Sequence, residues 1–160
     1  MAQFISNTVQ VHIAAFNKIE GAYKHLVLKR SADAYLYPGL WQVVTGRIEI
    51  GEKAIEAALR ETKEETGLKV VDMWTLPYVA SFFNPHKDAV SFAPVFGFLV
   101  DDREKVKISS EHEKYDWLGM NAAIERVELP THKEGIRIFN NYILSKEDKS
   151  LFKLNLNDFL

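Results

Sequence analysis

The most apolar stretch of the chain, Ala89 to Val100, is 12 residues long and contains Pro94. A helix crossing a bilayer needs roughly 20 apolar residues, so this segment is read as a buried strand. That reading constrains its neighbours. Val70 to Phe83 is also rich in β-formers, broken by Pro77, and only the polar loop Asn84 to Asp88 separates the two. They are expected to pair. Upstream, Thr8 to Phe16 puts Val9, Val11, Ile13 and Ala15 on one side, and Tyr23 to Leu28 follows the turn residues Glu20 and Gly21, as in a hairpin. Ser31 to Gly39 reads as a loop, and Trp41 to Thr45 as a short strand stopped by Gly46.

Helical segments alternate with these strands. Lys53 to Thr66 lacks Pro and Gly, Ala54, Ala57 and Ala58 favour helix, and Gly67 stands where a left-handed cap is expected. Ala122 to Val127 predicts a short helix and Lys133 to Leu144 an amphipathic one. The tail, Ser150 to Leu160, reads either as a last strand or as an arm against a partner. With 160 residues and 47% apolar content, one domain spanning residues 1–160 is expected.

Composition removes several function classes. Twenty basic against 22 acidic residues leave a formal charge of −2, which does not suggest a nucleic-acid binder, so a polyanionic ligand must be met locally. The absence of cysteine excludes disulfides, thiolate zinc sites and a Cys nucleophile, and suits a reducing, cytoplasmic setting. No basic stretch followed by an apolar run opens the chain, so neither a secretory signal nor a membrane partner is expected. The five histidines have no zinc-like spacing.

The chemistry is concentrated between Gly46 and Leu68. At about 100° per residue, Ile55, Ala58, Leu59 and Thr62 share one helix face, while Glu61, Glu64 and Glu65 fall within an arc of roughly 100° on the far side. A solvated Glu-rich face, with Arg60 pairing to Glu56 or Glu64, would look similar. Acids in the last turns of a helix oppose its macrodipole, however, and a hard divalent cation relieves that.

Gly46, Glu52, Arg60, Glu61, Glu64, Glu65, Gly67 and Leu68 hold the spacing of the Nudix box over 23 positions. The segment resembles that family, with Thr62 in place of the usual aliphatic. Trp41 to Thr45, Phe92 to Val100, Glu111-His112 and Trp117-Leu118 are similar to it as well. The resemblance implies an α/β (α+β) Nudix fold, a mixed sheet sandwiched between helices. It implies hydrolysis of a diphosphate linkage in a nucleoside-diphosphate-like substrate, with Mg2+, or Mn2+ as substitute. Dihydroneopterin triphosphate, dATP-like nucleotides and dinucleoside polyphosphates are the candidate substrates. Glu61, Glu64 and Glu65 would be the main metal ligands, Glu52 would assist, and Arg60 would hold carboxylates in place. Gly46 would serve a tight approach to the loop.

Glu61 and Glu111 are both candidates for a general base. For the substrate, Arg47 and Gly46 are candidates at the phosphates, and Phe83, His86 and Tyr35 at a ring. The partner expected is a small phosphorylated molecule, with a homodimer left open. The alternative is a catalytically silent Nudix-fold nucleotide-binding or regulatory module; such modules usually damage the box, whose acids are all present here. An isoprenoid-diphosphate isomerase would need a cysteine.

Overall fold

The computed structural model describes residues 1–159. Its strands are β1 (Gln3–Ile5), β2 (Thr8–Asn17), β3 (Ala22–Arg30), β4 (Trp41–Gln42), β5 (Val44–Arg47), β6 (Val70–Asn84), β7 (Ala89–Val100), β8 (His112–Leu118) and β9 (Lys153–Leu154). The helices are α1 (Ala54–Thr66), α2 (Met120–Arg126) and α3 (Pro130–Phe139), the last continuing into a π-helical turn, Asn140–Leu144. All strands join one mixed sheet whose central path is β4-β3-β2-β7-β6-β9, with β1 beside β7, β5 beside β2 and β8 beside β3.

Alternation along β2 decides the layering. Val9, Val11, Ile13 and Ala15 point to one face, where they meet Ile55, Ala57 and Ala58 of α1 together with Phe96 and Phe98 of β7. Ala14 and Val95 point to the other face, against Phe139, Ile143 and Leu144. The sheet is therefore sandwiched between α1 and the α3 layer, as its buried apolar strands require. A third cluster ties Val27 and Val43 to Ala123 and Val127 around α2, and to Ile136 of α3.

Several elements differ from the sequence reading. The strand around Trp41 does not stop at Gly46: it breaks at Val43 and resumes as β5 through Arg47, because Val9 of β2 pairs directly with Gly46. β6 runs past Pro77 with a register shift between Thr75 and Val79, since a proline has no N–H for the ladder. β8 runs antiparallel along β3, from His112 against Arg30 to Leu118 against His25. α3 starts earlier than Lys133, with Pro130 in its first turn, where a missing N–H is harmless.

The tail question is answered in the chain's own favour. Leu154 and Lys153 pair with Met73 and Trp74 of β6, so the arm covers the edge of its own sheet. Among the described residues no helix is long and apolar enough to cross a membrane.

Candidate active site

β5, the turn after it and α1 present the acids. Lys53 N–H donates to Glu56 at 2.8 Å at the start of the helix, and Gly67, at φ 70°, ends it with its N–H on Lys63 O. Arg60 is the hub of the unit. Its Nε and Nη2 grip the two carboxylate oxygens of Glu52 at 2.8 and 3.0 Å, Nη1 donates to Glu61 at 2.8 Å and to Glu64 at 3.3 Å, and Nη2 also reaches Arg47 O at 2.8 Å. A planar guanidinium with fixed donors suits this better than a lysine. The Arg60 fork holds Glu52 below the usual carboxylate range, and Glu52 in turn raises Arg60 further.

Gly46 has a different purpose from the one its sequence suggests. Its φ is not left-handed. A Cβ there would lie 2.1 Å from Glu61 Cγ and 2.5 Å from Oε1, so the residue is glycine because Glu61 lies across its α-carbon.

The far face of α1 is not a solvent face throughout. Glu64 is exposed, Glu61 half-buried, and Glu65 only 4% exposed. Leu59 is partly buried against the core that Ile55, Ala57 and Ala58 join. Over Glu65 a segment crosses the helix end: Lys107 N–H donates to Thr66 O at 2.8 Å and Ser109 N–H to Glu65 O at 3.3 Å. These bonds satisfy carbonyls that a helix terminus leaves open.

Glu61, Glu64, Glu65, Ser109, Ser110 and Glu111 line a cavity of about 190 Å3. Burial, followed by the charges of Glu61 and Glu111, pushes Glu65 up to about 9, with Arg30 offsetting part of this. Glu61 is also raised: burial lifts it, Arg60 pulls it back, and Glu64 and Glu111 lift it again. Glu65 Oε2 is buried with no hydrogen-bond partner. Among the described residues no three or more His, Asp or Glu side chains stand so as to hold an ion as they are, in keeping with Arg60's grip on Glu61 and Glu64. A larger cleft of about 580 Å3 between Val71-Asp72 and residues 153–157 holds the Asp72–Lys153 ion pair and no group of acids.

The sequence-derived candidates thus separate. Glu61, Glu64, Glu65 and Glu111 come together at one cavity, and Glu52 and Arg60 stand behind it. Arg47 is exposed at the end of β5 and shares the unit through its carbonyl. Tyr35, 97% exposed on the loop after β3, and Phe83 and His86, at the β6–β7 turn, are not among the residues lining the cavity. Three residues are not marked by the sequence: Arg30, Ser109 and Ser110. Arg30, whose Nε donates to Leu36 O at 2.8 Å, lies close enough to act on both Glu65 and His112. It is a lone arginine at a strand end, with no spacing to mark it. Ser109 lies two residues before Glu111, and only that proximity could have pointed to it.

A NUDIX domain matches residues 8–140 of this chain. The chain belongs to the Nudix family. Of related proteins, rat bis(5'-nucleosyl)-tetraphosphatase (asymmetrical) is 24% identical over 130 residues, covering 80% of this chain and 86% of the rat protein. A Myxococcus xanthus octanoyltransferase is 34% identical over 101 residues, 62% of this chain but only 28% of that much longer protein. The Escherichia coli dihydroneopterin triphosphate pyrophosphohydrolase structure superposes with a TM-score of 0.65 at 23% identity, covering 88% of this chain and 99% of that one.

Proposed function

We propose that the chain hydrolyses a diphosphate linkage in a nucleoside or pterin triphosphate, or in a dinucleoside polyphosphate, with magnesium or manganese as the required ion. The observation that carries this reading is Glu65: a buried carboxyl with an unpartnered oxygen, in a cavity whose other acidic walls are Glu61, Glu64 and Glu111. Burying such a group without a counter-charge is costly. An all-oxygen donor set fits a hard divalent cation, with Glu61, Glu64 and Glu65 as its holders and Glu52 in support. When bound, the cation supplies the positive charge that polarises a phosphoryl oxygen and acidifies water.

The protein's own groups supply the rest. Arg60 ties Glu52, Glu61 and Glu64 to one another, and would keep Glu52 anchored as Glu61 and Glu64 turn toward the cation. Water attacks phosphorus, its proton passes to Glu111 or Glu61, and the bridging P–O bond breaks as the leaving phosphate or nucleotide departs. Arg47 and Arg30 would take anionic oxygens of the substrate. Tyr35, Phe83 and His86 remain candidates for a ring, reached from outside the cavity. The rat relative's activity on dinucleoside tetraphosphates and the bacterial structure's on a pterin triphosphate support these substrate classes.

A panel of nucleotide, dinucleotide and pterin phosphates assayed with magnesium, scored for phosphate against pyrophosphate release, tests the proposal. Turnover of at least one class that stops in excess chelator and returns with the ion is expected. Turnover unaffected by chelator, or none across the panel, defeats it.

A further inference from the structure

We propose that Ser109 is a positioning residue for the cation held at Glu65, its hydroxyl accepting a hydrogen bond from water that accompanies the ion. The inference rests on the metal reading above and assigns a part to a residue outside the box. Ser109 is fixed from two sides: its N–H donates to Glu65 O at 3.3 Å, and its carbonyl accepts from His112 N–H at 3.1 Å. The first of these bonds ties Ser109 to the backbone of Glu65, and both residues line one cavity. Both side chains are incomplete there, since Ser109 Oγ and Glu65 Oε2 are buried without a partner.

A buried hydroxyl with no partner is uncommon, and two unpartnered oxygens on residues that line one cavity point to a ligand that satisfies both. Magnesium keeps several of its waters when it binds carboxylates, and those waters are strong donors in need of acceptors. Ser109 and Glu65 provide them. Groups that hold a metal's surroundings in this way typically change its affinity by about 10–100-fold when removed.

The test is thermal melting of the full chain across magnesium concentrations for wild type, Ser109→Ala and Ser109→Thr. In the absence of metal, Ser109→Ala is expected to melt at or above wild type, because it removes an unsatisfied group. Its magnesium midpoint should rise by about tenfold, while Ser109→Thr, which keeps the hydroxyl, should keep the wild-type midpoint. A Ser109→Ala variant with an unchanged midpoint overturns this assignment alone, and a lowered metal-free melting temperature at that same midpoint marks a packing role instead. A wild type indifferent to magnesium overturns the metal reading, and this assignment with it.

Discussion

Glu52 and Glu65 belong to the same loop-and-helix unit and meet opposite environments. Glu52 has both oxygens in the Arg60 fork and is held as an anion. Glu65 has no cation in contact, and burial pushes its carboxyl up to about 9. One end of the unit is therefore electrostatically complete as folded, whereas the other is complete only with an added positive charge. The contrast separates the residues that build the site from those that await a ligand.

Replacing the awaiting acids should have the largest effect. Glu64→Gln or Glu65→Gln is expected to lower turnover by orders of magnitude with the fold retained, since each removes an anionic ligand at constant shape. Glu65→Gln should also raise the metal-free melting temperature. Steady-state kinetics beside melting curves check this, and near-normal turnover would sink the metal assignment.

Gly46→Ala attacks the completed end. The added methyl would collide with Glu61, so Glu61 must leave Arg60 or β5 must shift, at about 1–3 kcal/mol of stability. Turnover should fall with it. Denaturant unfolding and kinetics decide the matter, and an unperturbed variant would mean that Glu61 moves aside freely.

The pH dependence of stability sharpens the comparison further. Glu65 is raised from 4.5 to about 9, so its contribution is full below pH 4.5 and is lost as pH rises toward 9. The buried imidazoles work in the opposite sense. Burial lowers His25, His112 and His132 from 6.5 to about 4, and His12 well below 6.5, so their contribution is full above pH 6.5 and is lost as pH falls toward 4. Metal-free stability should peak near pH 6.5. Magnesium should flatten the alkaline side, as should Glu65→Gln, and melting curves from pH 4 to 9 would show whether they do. A metal-free protein equally stable at pH 6.5 and 9 would contradict the Glu65 environment.

The smallest effect is expected from Glu111→Gln. If Glu111 carries the proton, turnover falls about tenfold or more and the pH profile shifts; if both stay put, Glu61 is the remaining candidate. Either result says whether the awaiting end extends beyond the helix.

How far the sequence was legible follows from the range of the interactions. Strand pairing of Val70–Phe83 with Ala89–Val100 and the helix ending at Gly67 are local patterns, and both are present. Helix periodicity already puts Glu61, Glu64 and Glu65 on one patch, the family resemblance adds Glu111, and all four line one cavity. Helix periodicity could not show the burial of Glu65, because a residue's face says nothing about what a distant segment lays over it. For the same reason Gly46 was misread: its collision partner is Glu61, on the helix. Tyr35, Phe83 and His86 are ring candidates for their aromatic side chains, and sequence carries no measure of their distance from the acids.

The bonds from Lys107 and Ser109 to the last turn of α1 also bear on the order in which the molecule is assembled. During synthesis the box is finished while β6, β7 and the crossing segment are still to be made. Bringing Lys107 to Thr66 closes a loop of about 40 residues, at an entropic cost. A nascent chain halted after β7 would carry Glu52, Arg60, Glu61, Glu64 and Glu65, yet lack the backbone donors that close the helix and shelter Glu65. Catalytic competence would then arrive as a late step of maturation, set by the closing of that long loop rather than by the appearance of the acids.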